Sequence, residues 1–318
     1  MILAGDIGGT KTNLALFDED PRVPVRLETF SSRDHHGLEE MIGSFLPDGL
    51  AGIRRAGFGV AGPVRDGRSI SVNLAWEIDA KAVATRFGLE SVALINDLDA
   101  NARGLAALGD DDFAVLCPGT PDPSGNGAVL SAGTGLGQAL LAREGAGFHV
   151  VPGEGGHVDF APTNDLEIAL WHHLHGRFGH VSYERILSGQ GIENPYRFVV
   201  ETGRGEALAG EPAAADVSKA GLDGSNEGCA LALDLFASIY GAAAGNVALT
   251  VMATAGVFLG GGIAPKLSAK LADGTFLDAF RAKGRFAPIL HDIPVKIVLN
   301  DKAALIGAGL AAAEGASV

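Results

Sequence analysis

At 318 residues, 47% of them hydrophobic, the chain is long enough for two domains and too apolar to stay disordered. Its formal net charge of −14, with Lys and Arg nowhere in a dense run, excludes a duplex-binding surface, so no nucleic-acid partner is expected. The only cysteines, Cys117 and Cys229, form no CxxC pair, and no basic, apolar leader precedes Asp6, which fits a reducing cytoplasm without a signal peptide.

The chain opens on a hairpin pattern, Met1 to Asp18, in which two apolar runs flank a glycine- and threonine-rich turn. Arg26 to Phe30 reads as a third strand and Leu38 to Phe45 as a helix with apolar residues at helical spacing. Ile53 to Val60 is a strand ending in the sharp turn Ala61-Gly62-Pro63. Val83 to Phe87 lies in a helix, Val92 to Ile95 is a short all-apolar strand, and Leu98 to Leu108 is a helix. A second hairpin of the same kind runs from Gly127 to Ala142 and opens a second α/β unit. Asp165 to Phe178, Tyr183 to Ser188, Glu193 to Glu201 and Asp216 to Lys219 read as helical or loop-like. Val295 to Leu299 is a late strand, and Lys302 to Glu314 an Ala/Gly-rich closing helix. Two units opening on one device suggest an internal duplication.

No charged residue lies between Asp234 and Lys266, a length that could span a bilayer. Its Ala, Gly, Ser and Thr content, Asn246 and the run Gly260-Gly261-Gly262 argue for a buried helix from about Glu227 to Ala253. A short strand, Gly256 to Leu259, follows, and no membrane partner is expected.

The two turns carry the first chemistry. Backbone N–H groups converge where side chains are absent, and such concavities bind anions. In Asp6-Ile7-Gly8-Gly9-Thr10-Lys11-Thr12, Gly8 and Gly9 would admit phosphate oxygens, Thr10 and Lys11 would add donors, and Asp6 can hold Mg²⁺ through water. An ordinary hairpin turn explains the glycines but not the flanking Asp and Thr-Lys-Thr. The second turn, Ser131 to Gly137, lacks the third glycine of a dinucleotide fingerprint, because Gln138 stands there and strand rather than helix follows. A dinucleotide oxidoreductase is therefore disfavoured.

Asn96-Asp97 ends a strand and precedes a helix, a place where open α/β sheets bind ligands and where Asn and Asp also serve as helix caps. Asp97 can act as a base toward a hydroxyl. The loop Pro152 to Asp159 sets Glu154, His157 and Asp159 among glycines, which suits a polyhydroxylated ligand, with a solvated surface loop as the alternative. Glu184 is either a ligand or a first-turn helix acid. His172, His173, His175 and His180 lack the cysteine or carboxylate that would complete a metal site. The Gly260-Gly261-Gly262 turn offers bare backbone to a flat ring.

Together these segments resemble the bacterial glucokinase family, within the actin-like group of sugar kinases and ATPases. DIGGTKT resembles its first phosphate motif and SAGTGLGQALL its second. VAGPV, VNLAW, LINDLDANA, PGEGGHVDF, SYERILSGQG, FLGGGIAPK and HDIPV follow in the family's order. The resemblance implies two actin-like (ribonuclease H-like) α/β domains with a cleft between them, residues 1–107 plus 300–318 and residues 108–299. It implies a cytoplasmic, glycolytic homodimer that transfers the γ-phosphoryl of Mg·ATP to the 6-hydroxyl of glucose. Asp97 would be the base; Asn96, Asp97, Glu154, His157 and Glu184 would hold the sugar. Gly5, Asp6, Ile7, Gly8, Gly9 and Thr10, with Gly133, Thr134 and Gly135, would cradle the phosphates, and Gly261 and Gly262 would lie near the nucleoside. Lys11 stands where many members carry Asn, and the cysteine-rich zinc motif of the related repressor/kinase group is absent. A kinase for another hexose, or a non-catalytic sugar sensor on the same fold, would use the same turns. Repressors of that kind carry an N-terminal DNA-binding segment, whereas here the first hairpin begins at residue 2.

Overall fold

The computed structural model describes residues 1–18, 22–50, 52–70, 76–145 and 147–315. Most of the VNLAW motif, residues 72–76, lies outside them. The chain divides into two units, Met1–Asp110 with Asn300–Val318, and Asp111–Leu299.

In the first unit, β1 (Ile2–Ile7), β2 (Lys11–Phe17) and β3 (Pro24–Ser31) form an antiparallel meander. After α1 (Leu38–Phe45), β4 (Arg55–Val60) returns parallel to β1. A small ribbon follows, β5 (Val64–Arg65), β6 (Arg68–Ile70) and β7 (Glu77–Asp79). Then come α2 (Ala80–Phe87), β8 (Ser91–Asn96), parallel to β4, and α3 (Asp97–Leu105). The sheet order is β3-β2-β1-β4-β8.

Side chains alternate across a strand, so β1 serves two cores. Leu3 and Ile7 pack with Phe58, Met41 and Phe45, whereas Ala4 packs with Ala15, Phe17, Leu305 and Ala308. The second group brings in the closing helix, Ala303–Glu314. That helix lies close to backbone. A Cβ on Gly57 would overlap the carbonyl oxygen of Ala308, one on Gly104 that of Ala303, and one on Gly307 that of Ala100. Arg103 ties it to α3 as well, bonding Asp99 at 2.9 Å and Glu314 at 2.6 Å.

The second unit starts with β9 (Phe113–Cys117), then a second meander, β10 (Gly127–Ala132), β11 (Leu136–Glu144) and β12 (Gly147–Gly153). Helices α4 (Asp165–Phe178), α5 (Gly189–Glu201), α6 (Ala214–Leu222) and α7 (Glu227–Val251) follow. The chain then forms β13 (Gly256–Gly260), α8 (Ile263–Lys266), α9 (Ser268–Leu271), α10 (Thr275–Arg281), α11 (Ala287–Asp292) and β14 (Val295–Val298). Its sheet order is β12-β11-β10-β13-β14-β9, with β13 and β14 parallel to β10 and β9 antiparallel on the edge. Apart from β9, the order and directions repeat those of the first sheet.

Helix α7 is the uncharged stretch of the sequence. It is long and apolar enough to cross a membrane, yet 78% of its most apolar window is buried inside the unit. Gly241 and Gly245 let α10 approach at Phe276 and Phe280, and the Tyr240 hydroxyl donates to the Leu130 carbonyl of β10 at 3.1 Å. Two expected elements differ. Helix α5 begins four residues before Glu193, because Ser188 caps it at the Gly191 N–H (3.0 Å) while Gly189 and Gly191 conceal its first turn in the sequence. Of Tyr183 to Ser188, read as helical or loop-like, only Tyr183–Arg185 is helical, as a single 3₁₀ turn.

The close approach of the closing helix gives a direct test. Gly57→Ala forces backbone apart and should cost at least about 1–3 kcal/mol, lowering Tm. Gly43→Ala, in an exposed position of α1 with open space around it, should be neutral or stabilising. Equal Tm values for the two variants would refute the packing described.

Candidate active site

Both predicted turns join a central strand to its antiparallel neighbour, and each is three residues long: Gly8-Gly9-Thr10 after β1 and Gly133-Thr134-Gly135 after β10. In the first, Gly8 N–H donates to the Lys11 carbonyl at 3.0 Å. Two side chains that the sequence did not single out as a pair hold it from below. Ser32 Oγ donates to the Gly8 carbonyl at 2.7 Å, which uses its only proton, so Thr12 Oγ1 donates to Ser32 Oγ at 2.9 Å. Ser32 N–H adds a bond to the Thr10 carbonyl at 3.0 Å, and both hydroxyl residues are fully buried. Gly5 lies within β1, where Phe58 and Leu14 fill the space a side chain would need. Ile7 is core, whereas Gly8 and Gly9 are half-buried and Thr10 and Lys11 exposed.

Asp6 occupies the face of β1 that carries Ala4, opposite Leu3 and Ile7. Its register partner on β4 is Gly59, and an ideal Cβ on Gly59 would sit 3.9 Å from Asp97 Cα. The bare backbone of Gly59 thus leaves Asp6 electrostatically coupled to Asp97. Burial, then the Asp97 charge, raise the Asp6 carboxyl to about 6, against a hydrogen bond from Asn13 that lowers it. Asn96 caps α3: Oδ1 accepts the Leu98 N–H at 2.9 Å and Nδ2 donates to the Gly62 carbonyl at 2.9 Å. Asp97 is the first residue of α3, and its Oδ1 also accepts from Leu98 N–H at 2.9 Å. A carboxylate at a helix N-terminus is favoured in its charged form.

In the second unit, Glu184 meets the glycine turn. Its Oε2 accepts the Leu136 N–H at 3.0 Å, and a Cβ on Gly135 would lie 2.5 Å from that oxygen. The Gly189 N–H, at the start of α5, donates to the Gly133 carbonyl at 2.8 Å. The other carboxylate oxygen of Glu184 faces His157 Nδ1 at 3.8 Å. His157 and Glu154 sit on the expected loop, now a 3₁₀ turn, Gly155–His157, seated on β11 because Gly155 and Gly156 present no Cβ to Gln138 and Leu136. Both Glu154 and His157 are exposed, and Asp159 pairs with His180 Nε2 at 2.9 Å. Gly261 takes a left-handed φ of +79° and lies against the Ala132 carbonyl, so its glycine is required by the backbone, whereas Gly262 opens onto free space.

Among the described residues no group of three metal-ligating side chains gathers. His175 stacks on Trp171, and His173 packs edge-on to Phe198. A depression of about 490 Å³ beside α6, lined in part by Leu208, Pro212, Lys219 and Asp223, contains none of the predicted residues. In each unit the hydrogen bonds around its turn, rather than that depression, mark the candidate residues.

The Glucokinase family model matches residues 3–315. A glucokinase from Nostoc sp. is 38% identical, over 98% of this chain and 99% of that protein. The crystal structure of glucokinase from an Antarctic psychrotroph is 32% identical with a TM-score of 0.87, covering 98% of both chains. A glucokinase of the ROK family from Streptomyces griseus, solved with glucose and AMPPNP, shares the fold at 21% identity and a TM-score of 0.67, covering 99% of each chain. Matches of this extent place the chain among hexokinase-type phosphotransferases that act on sugars. It belongs to the glucokinase family.

The raised Asp6 has a consequence for stability. Its folded pKa lies above its unfolded one, so the folded state holds the extra proton between about pH 4 and 6, and stability falls as pH rises through that window. In metal-free buffer Asp6→Asn should therefore be more stable at pH 7, by roughly 1–3 kcal/mol, with the gain vanishing below about pH 4. A variant less stable than the parent at pH 7 in thermal melts would contradict this electrostatic picture.

Proposed function

We propose that the protein transfers the γ-phosphoryl group of Mg·ATP to the 6-hydroxyl of glucose, giving glucose 6-phosphate and ADP. The observation that carries the reading is the placing of Asp97 as the first residue of α3, at the carboxyl end of β8 and beside Asp6. Phosphoryl transfer needs mostly positioning and charge neutralisation. Asp97 accepts the proton of the 6-hydroxyl, and in a loose transition state that proton leaves late, so the carboxylate needs no raised pKa. Asn96, with Asp97, orients the sugar. Glu154 and Glu184 accept from sugar hydroxyls and His157 offers a ring nitrogen, a mixed set suited to a polyol.

In the turns Gly8 to Thr10 and Gly133 to Gly135 the Gly8 and Gly133 N–H groups close the turns on the Lys11 and Gly135 carbonyls, and the remaining backbone N–H groups serve the phosphates, while the open space at Gly262 accommodates the nucleoside. Gly5 contributes through its fit against Phe58, and Gly261 through the turn it permits. The mutual repulsion of Asp6 and Asp97 is what a divalent cation would relieve. One carboxylate is enough for Mg²⁺, which keeps several waters. Bound there through water at Asp6, the ion would neutralise charge on the transferring phosphates. We read the two repeated sheets as actin-like domains, residues 1–107 with 300–318 and residues 108–299, of a cytoplasmic, glycolytic homodimer.

A coupled assay crossing glucose, fructose and mannose with ATP, ADP and polyphosphate tests the substrates. Glucose with ATP should give the highest kcat/KM, and a different best pair would overturn the assignment. Asp97→Ala should lower kcat at least about 10²-fold with Tm preserved. A variant retaining near-normal kcat would remove Asp97 from the role of base.

A further inference from the structure

We propose that Glu184 is a mechanical link through which the sugar subsite and the second phosphate turn set one another's geometry. This rests on the kinase reading above and extends it. One carboxylate has two duties. Oε2 holds the Leu136 N–H at 3.0 Å and fills the space beside Gly135, while Oε1 faces His157 Nδ1 at 3.8 Å. The backbone of the segment that carries it is also held. Ser188 Oγ donates to the Glu184 carbonyl at 2.8 Å, and the next residue, Gly189, donates its N–H to Gly133 at 2.8 Å. The segment 184–189 therefore touches the turn twice, once through a side chain and once through backbone.

The Glu184 side chain is 31% exposed, whereas that of His157 is 58% exposed. A sugar hydroxyl that bonds Glu184 orients the carboxylate that positions Leu136 and Gly135. By reciprocity, phosphate on the turn biases the carboxylate toward its sugar-binding position. Coupling between sites is equal in both directions.

The reciprocal arm supplies the test. Gly135→Ala changes only the phosphate turn, at a residue whose φ is not left-handed, and its Cβ meets the far end of one flexible side chain, Glu184 Oε2, at 2.5 Å. The fold can absorb that methyl by moving the carboxylate. Calorimetric titration of glucose into the full chain, with no nucleotide present, should give a Kd about tenfold weaker in Gly135→Ala than in the parent. In the opposite direction, AMPPNP titrated without sugar should bind Glu184→Gln as it binds the parent, since an amide oxygen still accepts from Leu136. Glu184→Ala should bind it at least about fivefold more weakly, and His157→Ala should be unaffected. Glucose affinity of Gly135→Ala within twofold of the parent overturns the link, even if Glu184→Ala fails to fold. Absence of glucose binding by the parent sinks the kinase reading instead, so the two failures are distinct.

Discussion

A glycine-rich turn cannot hold its own shape, and everything proposed for this protein depends on two such turns keeping theirs. Glycine is free to adopt many backbone conformations and loses that freedom on folding. Each three-residue turn is therefore fixed from outside. In the first unit a buried hydroxyl relay, Thr12 to Ser32 to the Gly8 carbonyl, fixes the underside of the turn. In the second unit a carboxylate and a helix N-terminus do the same work, through Glu184 to Leu136 and Gly189 to Gly133. These bonds tie down the Gly8, Thr10 and Gly133 carbonyls.

The same economy of side chains places the acidic pair. Gly57 and Gly59 sit on one face of β4; the first admits the closing helix and the second admits the start of α3. A larger residue at Gly57 would lift the closing helix off the sheet, and one at Gly59 would lift α3 and move Asp97 away from Asp6. What this proximity costs in stability is the ordinary trade at functional sites, where repulsion between like charges is retained because a ligand relieves it. Asp6 near pH 6 is the local mark of that trade.

Much of this was legible in the sequence because it was local. Apolar runs on either side of GGT and GTG define both hairpins, and Asn96-Asp97 declares a helix start. Relations between distant residues were not legible. Ser32 lies 24 residues beyond Gly8, and Glu184 lies 48 beyond Leu136, so no pattern of spacing joins them. A serine that opens one 3₁₀ turn, and an acid in the middle of another, look the same whether or not they hold a turn elsewhere. Two of the glycines have a second reason to be there. Gly5 and Gly261 read as phosphate or nucleoside contacts, and packing against Phe58 and the Ala132 carbonyl independently demands that they lack a side chain. Helix α7 was read as buried from its small residues, and Gly241 and Gly245 now give the reason, since α10 packs directly on its backbone.

The central claim is that a sugar hydroxyl, activated by Asp97, receives the terminal phosphate of ATP. Phosphorus-31 NMR of glucose incubated with Mg·ATP and the protein tests it most directly. The account predicts glucose 6-phosphate and ADP appearing in equal amounts, with little free phosphate. ADP released with inorganic phosphate and no sugar phosphate, or no turnover at all, would contradict it.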